Sequence, residues 1–451
     1  MRKDIWLLSK RERIEIQTHI THFNIQYNES KKYRFILDHL ETEIGLGYRK
    51  ELWSFITNTA RAIKYRAVGL SVPRDFKPYK DNPQKISHKR MISLLDTLES
   101  LGYIDVYIGG IIDWHTMSGV GSISIMSDKY LTLFTGVDVS DEADRFATVE
   151  IKDRETGELK SNKGVRGVGK INIYMDEYNE KLINTEISKG QDLLAVQQYK
   201  RSFSDRIGFG GRHYNTSGGV QVMNQEERGK LKINGESVAE LDFKAMHPSI
   251  LYEQEYAVDP ESVGSWLADV WGGEYNPYGA QMPFLQVDMK KVEWFRTAYN
   301  NPSYNPIRNL AKHTLMVCLN AKTYRKAYTQ VTEEFRDEQR DWEKGQIEGS
   351  RFYGIEAEGN FPGNTVCQAV VAHNKPIAAH FYKDKGVQLQ YVDSEIVAEV
   401  LNRLLMEDEV LLPEHDSVIV RASIKDKVYR YMREAYKDVM GADNFCYIEE
   451  K

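Results

Sequence analysis

The chain has 451 residues, of which 41% are hydrophobic and 28% charged, which suits two or three folded domains and excludes a generally disordered chain. Its three cysteines lack CxxC or Cys/His spacing, so neither a disulfide framework nor a zinc site is indicated. No run approaches the roughly 18 apolar residues of a membrane span, and we therefore expect a cytoplasmic protein.

The net charge of −6 hides an asymmetry along the chain. Residues 1–90 contain 19 Lys and Arg against 10 Asp and Glu, which gives +9 there and leaves −15 for the rest. A basic N-terminal region is suited to neutralising phosphates, whereas an acidic remainder could bind nucleic acid only through a local groove and cations. A solvated basic surface without a partner is the alternative for the first region.

Residues 1–140 are predicted to form a basic helical and winged-helix domain that binds nucleic acid. Apolar residues recur at helical spacing between about 10 and 66, which indicates a bundle. Ser87 can cap a helix through HKRMISLLDTLESLG, and strand-like YIDVYIGGI and SISIMSDKYLTLF follow. In a winged helix the start of this helix would meet DNA through His88, Lys89 and Arg90. A purely structural helix–hairpin unit is the alternative.

The segment 141–165 is charged and poor in large apolar side chains. This composition indicates a linker or an exposed hairpin, and we place a domain boundary there.

Two acidic segments carry the predicted chemistry. In KLKINGESVAELDFKAMHPSILY, the pair Asn234-Gly235 predicts a type I′ hairpin turn, and Asp242 ends the following strand. His247-Pro248 can start a helix after it. In EVLLPEHDSVIV, two apolar flanks predict a hairpin with Asp416 at its tip. Two carboxylates close together repel and are usually compensated by divalent metal, so the segments predict two Mg²⁺ or Mn²⁺ ions and phosphoryl transfer.

A third element is the predicted helix NPIRNLAKHTLMVCLNAKTY. Arg308, Lys312, Met316 and Asn320 fall at four-residue intervals, and therefore along one helical face. Two cations on one face could hold a triphosphate. Taken alone, such a pair is more often a solvated surface, and an acidic strand end is more often a surface residue.

In this order the motifs resemble those of the family A DNA polymerases and the single-subunit phage-type RNA polymerases, over roughly residues 200 to 440. GFGGRHY is similar to the element that precedes the first aspartate, with Arg212 as its arginine. LDFKAMHPSILY is similar to motif A, which implies Asp242 as metal ligand and His247 at the sugar-gate position. EHDSVIV is similar to motif C through His415 and Asp416.

Other positions follow from the same resemblance. The Arg308 and Lys312 pair is similar to the fingers helix that contacts the incoming triphosphate, with Lys312 as a catalytic residue. Asn320 stands where the family has an aromatic residue, and Gln390 where a glutamine contacts the minor groove of primer and template. Ser417 follows Asp416 as in the RNA enzymes, whereas the bulk of His247 opposes a 2′-hydroxyl.

The resemblance implies an α+β right-hand polymerase of palm, fingers and thumb. Thumb-like helices and the start of the palm are expected at 166–240, and the palm at 241–451 with a fingers insertion at about 255–385. The first 200 residues lack the acidic motifs of a proofreading exonuclease.

The expected activity is synthesis of DNA from dNTPs on a DNA template, with or without a primer, by a compact phage or plasmid enzyme. A primase or single-subunit RNA polymerase using rNTPs is one alternative. A degenerate palm acting as a DNA-binding replication or regulatory protein is another.

Overall fold

The fold mixes helices and strands throughout. In the computed structural model, the described residues are 3–4, 16, 19–23, 29–45, 47–76, 79–80, 84–113, 118–120, 122–140, 147–216, 219–344, 350–356 and 361–451. Part of the segment predicted to be helical, between 10 and 28, lies outside them. Within the described part of the chain, no helix has the length and hydropathy needed to cross a membrane.

The N-terminal unit is a five-stranded sheet with helices packed on it. Its sheet order is β1-β4-β7-β3-β2, and β5 and β6 form a separate hairpin. The elements are β1 Lys3–Asp4, β2 Ile20–His22, α1 Arg34–Ile44, α2 Arg49–Lys64, β3 Gly69–Ser71, α3 His88–Ser100, β4 Ile104–Ile108, β5 Gly110–Asp113, β6 Ser118–Val120, β7 Ile123–Met126 and α4 Asp128–Thr132.

The helix predicted after Ser87 is confirmed as α3. The Ser87 hydroxyl accepts a hydrogen bond from the Arg90 backbone N–H, which satisfies one donor of the first turn. Met91, Leu94, Leu95 and Leu98 are buried, as the spacing of the apolar residues requires. The helix is followed by strands β4 and β7, which pair in antiparallel fashion.

The charged segment after residue 147 forms a hairpin, and a helix follows it. Strands β8 Val149–Lys152 and β9 Leu159–Lys160 pair with each other, and β8 also pairs in parallel with β12 Tyr199–Ser204. Thumb-like helices are expected at residues 166–240. In the described part of this range, α5 Val168–Ile183 is the only helix longer than four residues, and most of the other elements are strands. These are β10 Ile187–Lys189, β11 Asp192–Leu193, β12, β13 Gly210–Asn215, β14 Leu231–Ile233 and the start of β15 Glu236–Phe243, with a short α6 Gln225–Arg228.

The second half of the chain is built on a sheet of order β11-β10-β14-β15-β19-β18, with β20 also paired to β15. Strand β15 is separated in sequence from β18 and β19 by a long helical region, yet it pairs directly with β19. The elements after β15 are α7 Met246–Val258, α8 Pro260–Trp271, β16 Gln286–Val287, α9 Met289–Ala298, α10 Pro306–Asn320, α11 Tyr324–Glu343, β17 Ile355–Glu356, α12 Gly363–His373, α13 Gly386–Met406, β18 Leu412–Glu414, β19 Ser417–Arg421, α14 Lys425–Met440 and β20 Ile448–Glu450.

Both predicted hairpins around this sheet are confirmed. Asn234 and Gly235 have φ values of 52° and 80° and connect β14 to β15, as a type I′ turn requires. His415 and Asp416 form the two-residue connection between β18 and β19. The buried residues of this sheet and of the helices around it form one continuous core, to which Leu241, Val418 and Ile419 belong.

Candidate active site

The strand pairing brings the two predicted aspartates together. Asp242 lies opposite Ser417 in the β15–β19 pair, and the Phe243 N–H donates to the Asp416 carbonyl oxygen at 3.1 Å. Helix α7 starts at Met246, after Ala245 in the left-handed region, so the predicted helix start at His247-Pro248 is confirmed. The two aspartates therefore lie close together at one end of the central strands, Asp242 near the end of β15 and Asp416 in the turn that enters β19.

Burial and like charge act together at this end of the strands. The Asp242 side chain is 14% exposed, and burial, followed by repulsion from Asp416, raises the pKa of Asp242 to about 6. Burial, with a contribution from Glu240, likewise raises the pKa of Glu414 to about 7. Such carboxyl groups hold protons or cations more readily than ordinary ones, which is typical of functional sites.

A lysine ammonium partly compensates this charge. Lys451 Nζ lies 3.0 Å from Asp242 Oδ1 and 3.4 Å from Glu240 Oε1. Asp242 Oδ1 is buried, and within the described residues Lys451 is the cation that contacts it. Since a buried carboxylate beside a second carboxylate is costly, this oxygen is suited to a further cation.

The donor set at this end of the strands suits Mg²⁺ in part. Among the described residues, no group of three or more His, Cys, Asp and Glu side chains is arranged to hold a metal ion. Mg²⁺, however, is commonly bound through one or two carboxylates, with water and substrate phosphates as its remaining ligands. Asp242 and Asp416 could hold it in that manner.

The predicted cations on α10 lie beside a tyrosine. Asn305 caps the helix by accepting a hydrogen bond from the Arg308 N–H at 3.0 Å. Arg308 Cζ and Lys312 Nζ lie 5.4 Å and 5.8 Å from the centre of the Tyr278 ring. Burial raises the pKa of Tyr278, and the charge of Asp416 raises it further. Tyr278 is thus close both to the carboxylates and to the two cations.

A cavity of about 380 Å³ opens beside this helix start. It is lined by Asn276, Tyr278, Gly279, Ala280, Gln281, Asn305, Ile307 and Arg308. The first N–H groups of a helix and an arginine together favour an anion.

Arg212 and His247 lie near Asp416 and share one partner. Both contact the buried Asp393 of α13, with Arg212 Nε 3.1 Å and His247 Nε2 2.9 Å from its carboxylate oxygens. The His415 ring lies 6.0 Å from that of Tyr214, and burial, followed by the nearby Arg212, lowers the pKa of His415.

The predicted nucleotide and template contacts Asn320 and Gln390 lie on α10 and α13. Asn320 is twelve residues beyond Arg308, about 18 Å along α10. Its amide donates to the Met316 carbonyl and packs against Gly386. Gln390 is half-buried on α13. In the described residues, neither side chain has a hydrogen bond to Asp242 or Asp416.

The predicted DNA-contacting residues lie in the N-terminal unit, apart from the carboxylates. Lys89 and Arg90 are exposed at the start of α3. His88 instead packs beside Tyr79, and its Nε2 lies 2.6 Å from the Arg74 carbonyl oxygen, so its side chain has a structural contact.

The chain is similar to a DNA polymerase domain of known structure. That structure is the POL domain of Pol1 from M. smegmatis in complex with DNA primer-template and dNTP. The identity is 12%, the TM-score is 0.30, and the similarity covers 92% of this chain and 71% of the other. No family model matches the chain, and no curated protein matches it. Because the structural similarity is weak, the function proposed below depends on the residues of the site.

Three residues of the site are absent from the sequence prediction. Asp393 leaves a recognisable signal, since an acidic residue on the buried face of an otherwise apolar helix requires a partner. Tyr278 lies in an irregular segment between α8 and β16, where no periodicity marks it. Lys451 reaches Asp242 only because β20 pairs with β15.

Proposed function

We propose that this protein catalyses metal-dependent, template-directed nucleotidyl transfer, with DNA synthesis from dNTPs as the reaction. One observation carries the proposal: Asp242 at the end of β15 neighbours Asp416 in the β18–β19 turn, and Tyr278, beside Arg308 and Lys312, is close enough for the charges of both aspartates to act on it. Paired carboxylates near paired cations suit a substrate that carries a metal-bound triphosphate.

The carboxylates would hold the metal. The raised pKa of Asp242 and its buried Oδ1 both fit a divalent cation. When bound at Asp242 and Asp416, two Mg²⁺ or Mn²⁺ ions supply activation of a primer 3′-hydroxyl and stabilisation of the pyrophosphate leaving group. Lys451 must then share Asp242 with the metal or move away from it.

The remaining residues would bind and orient the substrate. Arg308 and Lys312 would neutralise the triphosphate, and the cavity beside them provides space for part of it. His247 is 5% exposed and is held by Asp393, so a sugar placed against it would meet a side chain of fixed orientation. This supports a site that opposes a 2′-hydroxyl, and hence dNTPs.

The N-terminal unit would recruit the enzyme to DNA. Lys89 and Arg90 are exposed at the start of a capped helix, and antiparallel strands follow this helix. Residues 1–90 carry the excess positive charge. Both features support binding to the DNA backbone or major groove in the manner of a winged helix.

Use of rNTPs by a primase or RNA polymerase is the second candidate, favoured by Ser417 after Asp416. In the structure, the Ser417 hydroxyl is buried and donates to Glu240 Oε1 at 3.0 Å. This contact gives Ser417 a structural role, so the residue weighs less for ribonucleotides than its sequence position indicates.

The test is incorporation by the full chain on primed and unprimed DNA, with dNTPs or rNTPs, and with Mg²⁺, Mn²⁺ or EDTA. The proposal expects metal-dependent extension of the primer with dNTPs, lost in Asp242→Asn and Asp416→Asn. Asp438→Asn, at a side chain on α14 that is 60% exposed, is the matched control and should retain the rate. Synthesis from rNTPs without primer would select the second candidate. DNA binding without any incorporation would indicate a degenerate palm.

A further inference from the structure

Asp393 is a buried acidic side chain that contacts Arg212 and His247. Its side chain is 0% exposed, and it lies on the buried face of α13 among Leu389, Ile396 and Val397. An ionised carboxylate in such surroundings persists only if its oxygens are paired and hydrogen-bonded.

The carboxylate joins three segments of the chain. Its Oδ1 accepts from Arg212 Nε at 3.1 Å, and its Oδ2 accepts from Arg212 Nη2, so the guanidinium is held by two parallel bonds. Its Oδ2 also lies 2.9 Å from His247 Nε2. Strand β13, helix α7 and helix α13 therefore meet at one acidic group.

The backbone of β13 is shaped for this contact. Gly211 has φ of 88°, and a Cβ there would lie 2.6 Å from the Phe203 ring and 3.0 Å from Ser394 Oγ. Only glycine allows β13 to approach α13 so closely at this position. The close approach places Arg212, the next residue, within reach of Asp393.

Arg212 and His247 in turn lie near the proposed site. The Arg212 side chain is 15% exposed, and it is close enough to Asp416 for that charge to raise its pKa. His247 stands five residues after Asp242 in the chain, in the first turn of α7. With Asp393 accepting from Nε2–H, the imidazole is held in one orientation and one tautomer.

We propose that Asp393 is a positioning residue of the nucleotidyl-transfer site, which fixes the guanidinium of Arg212 and the imidazole of His247 beside Asp242 and Asp416. This inference rests on the proposed function. Asp393 touches no substrate itself, so it acts on the rate through the two side chains that it holds.

The chain contains a control two residues further along the same helix. Glu395 pairs with the buried Arg201 of β12 at 2.7 Å. Both pairs join a buried arginine from a neighbouring strand to a carboxylate on α13, but the Glu395 side chain is 37% exposed and has no contact to His247. Asp393→Asn and Glu395→Gln therefore each remove one arginine-paired carboxylate, and thermal unfolding of both variants accounts for their different burial.

The experiment measures single-nucleotide extension by the full chain, with thermal unfolding of each variant as a check of folding. Asp393→Asn replaces one carboxylate oxygen by an NH2 group, which cannot accept a hydrogen bond, so the two parallel bonds from Arg212 cannot both form. It should lower kcat by about 10- to 100-fold, as misplacement of an orienting group does, with a smaller change in the nucleotide KM. Glu395→Gln should stay within about threefold of the wild-type kcat.

A double-mutant cycle with Arg212→Lys separates positioning from general damage. If Asp393 acts through Arg212, the double variant should be little slower than the slower single variant. Multiplicative losses, or equal losses in Asp393→Asn and Glu395→Gln, would overturn the proposal.

If Asp393→Asn does not fold, Asp393→Glu keeps the buried charge and displaces the contact by one methylene. A wild-type kcat in that variant would also overturn the proposal, and a loss of 10-fold or more would support it. The wild-type chain is measured first. If it shows no extension, the proposed function is wrong, and this outcome is distinct from a failure of the proposal for Asp393.

Discussion

The raised pKa of Asp242 predicts that removing its charge stabilises the metal-free protein while abolishing activity. Its pKa rises from the ordinary 3.8 to about 6. A rise of this size corresponds to about 3 kcal/mol of destabilisation when the group is ionised. The attraction of Lys451 is already among the causes of this pKa, so the figure includes it.

The sign depends on pH in a defined way. Below about pH 4, Asp242 is protonated in both the folded and the unfolded chain, and the substitution Asp242→Asn should be nearly neutral. Between pH 4 and 6 the unfolded chain loses its proton first, so the folded wild type loses stability as the pH rises. Above about pH 6, Asp242→Asn should be more stable than wild type by the full amount of about 3 kcal/mol.

The assay is thermal unfolding of the full chain in EDTA at pH 4.5 and pH 8, for wild type, Asp242→Asn and the surface control Asp438→Asn. By the scaling for domains of about 150–250 residues, 3 kcal/mol raises Tm by roughly 6–12 °C, and by less for a larger cooperative unit. The increase in Tm of Asp242→Asn over wild type should be present at pH 8 and smaller at pH 4.5. An Asp242→Asn variant that is no more stable than wild type at pH 8 would refute the reasoning.

Three further predictions concern binding. Lys312→Ala should raise the nucleotide KM about ten- to hundredfold, because a charge-assisted phosphate contact of about 1.5–3 kcal/mol is lost. Steady-state kinetics would measure this change, and an unchanged KM would contradict the assignment of Lys312. The apparent affinity for Mg²⁺ should fall below about pH 6, because the metal must displace the Asp242 proton, and a pH-independent titration would count against that ligand. Lys89→Ala with Arg90→Ala should weaken DNA binding and reduce the salt slope by about 2, with kcat at saturating DNA unchanged. Binding with an unchanged salt slope would place the DNA contact elsewhere.

Local chemistry made part of the fold predictable. Asn234-Gly235 fixes a turn because both residues accept positive φ, and Ser87 fixes a helix start because its hydroxyl satisfies an N–H of the first turn. Asp242 and Asp416 could be placed at strand ends for the same kind of reason. The pairing of these two strands could be predicted only from the order of the motifs, because pairing between distant segments leaves no local signal in the sequence.

The surroundings of the two aspartates were less predictable. Tyr278 comes from an irregular segment, and Lys451 arrives through a strand that pairs at long range. Asn320 shares a helical face with Arg308, but a face extends the length of the helix, so common periodicity does not bring both residues to one site. Spacing predicts which side of an element a residue occupies, whereas tertiary packing decides what it meets.

The central claim is that Asp242 and Asp416 together carry metal-dependent nucleotidyl transfer. The most direct measurement is pyrophosphate release during single-nucleotide extension of a primed template, titrated with Mg²⁺, for wild type, Asp242→Asn, Asp416→Asn and Asp438→Asn. We predict Mg²⁺-dependent release in wild type and in Asp438→Asn, and none above background in either active-site variant, with DNA binding retained in all four. Release at the wild-type rate from Asp242→Asn or Asp416→Asn would contradict the account.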